Sequence, residues 1–275
     1  MALIEVMNLC QQYGEQPILS NINLSIERGE VFALIGPTGA GKTTLLRLLD
    51  LLDEPTSGKI VFDGVDTAAP AKVRLAMRRR MAFVLQKPVV FNLSVQDNIA
   101  CALRWRGFRG SRLKEKAEHI IDVVGMSDYR DRNARHLSGG EVQRVAIARA
   151  MATEPEVLLL DEPMANLDPL SAARIEELIS SIIKSYAATI IMATHDLPQG
   201  QRLADRIGVL MNGELLQTGS ARDVFALPRN REVAEFVGVE NVIDGRIVSS
   251  EENVVTIESG GRSIEAISDL SLIHI

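Results

Sequence analysis

The run Val31-Phe32-Ala33-Leu34-Ile35, followed by Gly36-Pro37-Thr38-Gly39-Ala40-Gly41-Lys42-Thr43-Thr44, constrains this chain more than any other. Unbroken apolar residues suit a strand buried on both faces of a parallel sheet. From Lys42 onward, KTTLLRLLDLL has the apolar spacing of a helix. A glycine-rich turn between strand and helix points successive backbone N–H groups into one concavity, and the helix dipole adds positive potential there. Gly36, Gly39 and Gly41 let the backbone approach a phosphate with no Cβ in the way. Pro37, Thr38 and Ala40 complete the loop. On this reading Lys42 bridges the β- and γ-phosphates of a nucleoside triphosphate, the Thr43 hydroxyl ligates Mg²⁺, and Thr44 touches the α-phosphate.

Two further apolar runs behave in the same way. Val157 to Leu160 delivers Asp161 and Glu162 at its carboxyl end, and Ile190 to Thr194 ends at His195. Ligands bind at that end of a parallel α/β sheet. Adjacent carboxylates after buried aliphatics are costly without a cation, so Asp161 is expected to hold Mg²⁺ through its water shell. Glu162 is placed to polarise the water that attacks a γ-phosphate. Leu137-Ser138-Gly139-Gly140-Glu141 opens a further helical pattern, and Ser138 with two glycines at a helix start forms a second anion site. One nucleotide has one γ-phosphate, already surrounded from one side. The economical arrangement is a head-to-tail homodimer, each ATP lying between one chain's GPTGAGKT and the other's LSGGE.

Composition narrows the partners. A net charge of −6 and pI near 5.4 argue against broad nucleic-acid binding. The basic runs Arg78 to Arg80 and Arg104 to Arg112 read as solvated helix faces, the second having contact with lipid head groups or a membrane partner as its other reading. Nothing approaches the roughly 18 consecutive apolar residues of a membrane span, and Met1 to Glu5 lacks the pattern of a signal peptide. Cys10 and Cys101 are too few for a disulfide framework or a zinc site. A soluble protein of a reducing cytoplasm is expected, reaching a membrane only through a partner.

The order GPTGAGKT, Gln86, LSGGE, VLLLDEP and His195 resembles the nucleotide-binding subunit of an ABC transporter, from about Leu3 to Gly238. The resemblance implies a P-loop ATPase over residues 1–240, of α/β class, with a mainly parallel sheet, an N-terminal antiparallel β subdomain and an inserted helical subdomain at about 87–150. It implies ATP and Mg²⁺ as ligands. Tyr13, in a strand-turn-strand segment, would stack on adenine, preferring ATP without strictly excluding GTP. Gln86 would sense Mg²⁺ and the γ-phosphate from a hinge, and His195 would reach the γ-phosphate. Ser138, Gly139, Gly140 and Glu141 would face the partner's nucleotide, with Asp168 at the dimer interface. Ala165 stands where Ser is common, removing one cross-interface hydrogen bond worth about 1 kcal/mol. Glu141 stands where Gln is frequent, a variant expected to change nothing.

Helices are expected from Val95 to Arg106 and Arg112 to Val124, and two short ones between Arg222 and Val237. The apolar stretch from Lys87 to Ser94 is either a groove for a cytoplasmic helix of a transmembrane permease, with Phe91 as anchor, or an internal core loop. Residues 241–275 read as a β-rich extension, with strands at Asp244–Val248, Val254–Glu258 and Ser263–Ala266 and a hairpin turn at Gly260-Gly261. It resembles the opening of a small regulatory barrel of the TOBE or MOP type, at about half its length. The chain is truncated there, or a partner completes the sheet, or the strands cap the core; the apolar ending Leu272-Ile273-His274-Ile275 favours incompleteness.

With no fused membrane domain, an importer ATPase on the cytoplasmic membrane face is expected, working with permease subunits and, indirectly, a solute-binding protein. QKPVVFNLSVQDNIA looks similar to tungstate and molybdate importer ATPases; importers of phosphate, sulfate or amino acids share nearly all the motifs. A non-transport ABC ATPase acting on ribosomes or DNA would carry tandem cassettes or a long coiled coil. A P-loop kinase would have no use for LSGGE.

Overall fold

The computed structural model describes residues 2–186, 188–251 and 254–267. The chain opens with two long antiparallel strands, β1 (Ala2–Tyr13) and β2 (Gln16–Glu27), joined by a turn at Gly14. Strand β3 (Val31–Ile35) runs through the glycine loop into helix α1 (Lys42–Leu49). β4 (Ser57–Phe62) and β5 (Val65–Asp66) return to complete an antiparallel sheet of order β2-β1-β4-β5. Next come α2 (Ala71–Arg78) and β6 (Met81–Val84), then three helices that pack on one another: α3 (Val95–Trp105), α4 (Gly110–Val123) and α5 (Gly139–Met151). The chain then alternates β7 (Val157–Asp161), α6 (Pro169–Ser185), β8 (Thr189–Thr194), α7 (Leu197–Leu203), β9 (Arg206–Met211) and β10 (Glu214–Gly219). The central sheet has order β10-β9-β3-β8-β7-β6, parallel except for β10 at its edge. This is the α/β architecture expected.

The unbroken apolar runs are explained by burial on both sheet faces. Val31, Ala33 and Ile35 of β3 join Leu158, Leu160, Ile190 and Met192 in one core, shared with α3 to α6. Phe32 and Leu34 join Val157, Leu159, Ile191 and Ala193 in a second core, shared with α1 and the antiparallel sheet. Successive side chains of a strand point to opposite faces, so a run feeding two cores cannot alternate with polar residues. Each Val, Leu, Ile, Phe or Met among them contributes about 1.5–3 kcal/mol on burial. The carboxyl ends of these strands share one edge, where Gly36, Glu162 and His195 emerge.

Several expectations are corrected. The helix after the glycine loop stops at Leu49, because Leu51 adopts a left-handed φ of 56° and the Leu52 N–H turns back to the Arg47 carbonyl. The second helix expected from Arg112 begins at Gly110. The basic runs are not simply solvated: Arg80 bonds Glu156 (2.6 Å) and Asp63 (2.6 Å) and stacks on Phe62, while Arg104 pairs with Asp97 (2.8 Å).

Beyond β10 lie α8 (Ala221–Ala226) and α9 (Arg231–Phe236) on either side of Pro228. A separate antiparallel meander follows, β11 (Arg246–Glu251), β12 (Val254–Ser259) and β13 (Arg262–Ile267), its first strand starting two residues later than expected. The apolar ending from Leu272 lies outside the described residues. Among the described residues no helix is long and apolar enough to cross a membrane.

Candidate functional site

The glycine loop is held by contacts that exclude side chains. A Cβ on Gly36 would lie 2.0 Å from the Leu210 carbonyl oxygen, and Gly41, at φ 104°, would drive one into Leu19. The Lys42 ammonium, only 5% exposed, donates to the carbonyls of Gly36 (2.7 Å) and Pro37 (3.0 Å) and lies 3.4 Å from a Glu162 oxygen. The Thr43 hydroxyl donates to the buried Asp161 carboxylate (2.8 and 3.1 Å). Burial raises the Asp161 carboxyl; the Thr43 hydrogen bond opposes this and the neighbouring Glu162 charge adds to it. Hydroxyl and carboxylate oxygens in contact form the hard donor set that Mg²⁺ takes alongside substrate phosphates, so the residues present fit that ion.

Glu162 is the hub. One carboxylate oxygen receives the Gln86 amide (3.1 Å) and faces His195 Nδ1 (3.1 Å), while the other faces Lys42. With Nδ1 toward a carboxylate, the His195 tautomer carries its proton there. Three strand ends and one helix start therefore converge on a single carboxylate. Glu162 is itself left-handed (φ 44°), a conformation uncommon outside glycine, and its N–H is anchored on the Ala193 carbonyl at 2.9 Å. A polar cavity of about 350 Å³ opens here, lined among others by Thr38, Gln86, Glu162 and His195.

Tyr13 sits at the end of β1, half exposed, its hydroxyl donating to Asp53 (3.2 Å) and lying beside the Thr44 side chain. Arg47 grips the same Asp53 with two bonds (2.7 and 2.9 Å). This Tyr13–Asp53–Arg47 chain escaped sequence reasoning, since nothing in the spacing of 13, 47 and 53 marks a contact across two elements. It places an aromatic face next to the phosphate loop.

The second group of expected residues lies elsewhere. Ser138 caps α5, and the Ser138 N–H donates to Glu141 (2.7 Å) in a capping box. Burial raises the Glu141 carboxyl, but the hydrogen bonds from Ser138, with smaller contributions from Tyr129 and Arg132, hold it below the usual range. Gly139 and Gly140 abut Leu167 and Ser171 at the start of α6, whose N-cap, Asp168, accepts from Leu170 (3.1 Å) and Ser171 (3.0 Å). None of Ser138, Gly139, Gly140, Glu141 or Asp168 lines the cavity at Glu162. One chain thus presents two polar surfaces, not one closed site.

A third concavity, of about 580 Å³, separates α2 and β6 from α3 and α5. Leu75, Val89 and Trp105 supply apolar wall, Arg78, Arg79, Arg106 and Arg149 line it, and the buried Asp50 forms part of it. Phe91 is not among the lining residues; it packs edge-on against Trp105 (6.2 Å) under Arg149. Val89 lines the groove, while Phe91 is fastened through its backbone to buried Asn98.

Comparison with known proteins adds the following. The family profile described as "ABC transporter" matches residues 19–165. The molybdate/tungstate import ATP-binding protein WtpC of Thermococcus kodakarensis is 41% identical over 252 residues, 89% of this chain and 75% of that protein. The phosphate import ATP-binding protein PstB 2 of Natronomonas pharaonis is also 41% identical, over 87% of each chain. Among solved structures, cbiO1 from Clostridium perfringens, part of the ABC transporter complex cbiONQ, superposes with a TM-score of 0.76 at 30% identity, covering 87% of this chain and 95% of that one. The ATP-binding cassette MJ0796, a dimeric post-hydrolysis state bound to ADP and Pi, gives 0.71 at 29% identity, covering 80% and 99%.

Proposed function

The chain belongs to the ABC transporter family as an ATP-binding subunit with ATPase activity, and from that premise we propose that it powers a solute importer through ATP-dependent closure of a head-to-tail homodimer. The division of the polar residues into two surfaces carries this reading. The centre at Lys42 and Glu162 and the helix start at Ser138 stand apart in one chain, and a second copy brings them together across one nucleotide. The dimeric MJ0796 structure with ADP and Pi supports it.

In this reading the loop from Gly36 to Thr44 holds the phosphates, and Tyr13 stacks on the adenine. Thr43 and Asp161, with Gln86 beside them, would hold Mg²⁺, which supplies charge neutralisation on the phosphate oxygens. Glu162 orients the attacking water and takes its proton, while Gln86 and His195 fix the carboxylate's direction. Ser138 to Glu141 and Asp168 act on the partner's nucleotide. Residues 1–240 form the ATPase unit, 87–150 its helical part, and 241–275 an extension. The subunit works at the cytoplasmic membrane face, held by permease subunits that a solute-binding protein serves. A permease helix sits in the groove walled by Leu75, Val89 and Trp105.

Ser138→Arg separates shared from single-chain catalysis. The variant should bind nucleotide like the parent by equilibrium titration, yet lose both ATP-dependent dimerisation on gel filtration and hydrolysis. Normal hydrolysis would refute the shared site.

Tungstate or molybdate is the proposed solute, supported by the similarity to WtpC and by the β-rich extension. Equal identity to PstB 2 favours phosphate as the second reading. Calorimetric titration of tungstate, molybdate, sulfate and phosphate, with saturating Mg-ADP on the phosphate loop, decides between them. Selective tungstate or molybdate binding, lost when residues after Asn241 are removed, is expected. Phosphate-selective binding would overturn the tungstate or molybdate assignment in favour of the second reading, and no binding would remove the support that the extension gives it.

A further inference from the structure

A buried amide ties the segment after β7 to the segment after β8. Gln199, in the first turn of α7, is 2% exposed. The Thr194 hydroxyl donates to Gln199 Oε1 at 2.6 Å, the Asp196 N–H donates to Thr194 Oγ1 at 3.0 Å, and the Gln199 N–H donates to Asp196 Oδ1 at 3.0 Å. These three bonds close a ring around His195, fixing the residue on either side of it. The other end of the amide reaches the neighbouring loop. Gln199 Nε2 lies 2.9 Å from Met164 Sδ and 3.6 Å from Met192 Sδ. Met164 is two residues beyond Glu162 and begins the segment ending at Asp168.

The amide's orientation follows from its partners. Thr194 Oγ1 accepts from Asp196 and its own proton is free to donate to the Gln199 oxygen. Thioether sulfurs can only accept, so the NH₂ faces them. Reversing the amide would set a carbonyl oxygen against two sulfurs, which can only accept, and leave both contacts without a donor. A glutamine that merely filled space would not need one orientation to satisfy both loops.

We propose that Gln199 is a positioning residue that holds His195 against Glu162 and couples that contact to the Met164–Asp168 loop. The proposal rests on the reading of His195 and Glu162 as site residues. Under it, the histidine that faces the hydrolytic carboxylate and the segment that reaches a second copy shift as one unit.

The test uses the full chain and steady-state ATP hydrolysis at several protein concentrations, with Gln199→Leu, Gln199→Glu, His195→Ala and the double variant His195→Ala/Gln199→Leu. Gln199→Leu, which keeps bulk but loses both polar ends, should lower kcat about tenfold with KM for Mg-ATP changed less than twofold. Gln199→Glu keeps the acceptor for Thr194 but sets its second oxygen against the Met164 and Met192 sulfurs, so it should recover only part of that loss and stay below the parental kcat. In the His195→Ala background, adding Gln199→Leu should cost nothing more, because Gln199 acts through that histidine. A residue serving packing alone would lower thermal stability equally in both backgrounds without this loss of additivity. Parental kcat in Gln199→Leu, or additive losses in the double variant, would overturn the proposal. If His195→Ala itself hydrolysed ATP at the parental rate, the underlying site reading would fail instead.

Discussion

Glu162→Gln should slow ATP turnover by about a hundredfold or more, while nucleotide binding persists and a dimer accumulates with ATP. The reason lies in what the substitution preserves. Gln has the shape of Glu, so the approach of Gln86 and His195 to one side-chain oxygen, each at 3.1 Å, needs no repacking. The charge that faces Lys42 at 3.4 Å is removed, and with it the group able to accept a proton from water. Binding rests on the loop backbone and Lys42, which the change leaves in place. Hydrolysis therefore fails after the dimer has closed. Gel filtration with and without ATP, beside a single-turnover assay, reads both consequences. Parental turnover would remove Glu162 from its role, whatever the dimer does.

The parts of this fold legible in the sequence are those whose physics is local. Val31 to Ile35 and Val157 to Leu160 had to be buried on both faces because no polar residue interrupts them, and alternate members do feed two cores. The glycine loop was legible for the same reason: a side chain at Gly36 would meet the Leu210 carbonyl, so the residue type is dictated by the backbone path. What remained hidden depends on contacts between distant elements. No spacing rule links Tyr13, Arg47 and Asp53, or sets the Gln199 amide between Thr194 and Met164. The capping bond between Ser138 and Glu141 was likewise not read from LSGGE, and it is a task that Gln at that position could share. The helix starting at Lys42 was read too long because Leu and Asp favour no particular stop there. The left-handed turn at Leu51 ends it.

That early stop has an energetic consequence at Asp50. As the C-cap residue of α1, Asp50 lies at the groove, 8% exposed, and among the described residues its carboxylate has no hydrogen-bond partner, only the charge of Arg78 nearby. Burial pushes its carboxyl up to about 7, and Arg78 only partly opposes this. Arg79, Arg106 and Arg149 also line the groove, but none forms an ion pair with Asp50. An acid that ionises near 7 when folded and near 3.8 when unfolded retains a proton in the folded chain that the unfolded chain has lost. Between those pH values the folded state binds more protons, so stability falls as pH rises, by about 4 kcal/mol across the whole window. Asp50→Asn removes this dependence. Urea unfolding should show the variant close to the parent near pH 4 and more stable above pH 7, the gap widening between. The gain above pH 7 should approach about 4 kcal/mol where the asparagine amide is solvated by the groove. A gap that stayed constant with pH would mean that Asp50 ionises normally in the folded chain. A gap of opposite sign would mean that the carboxylate has a favourable partner at neutral pH, with Arg78 the nearest cation able to supply it.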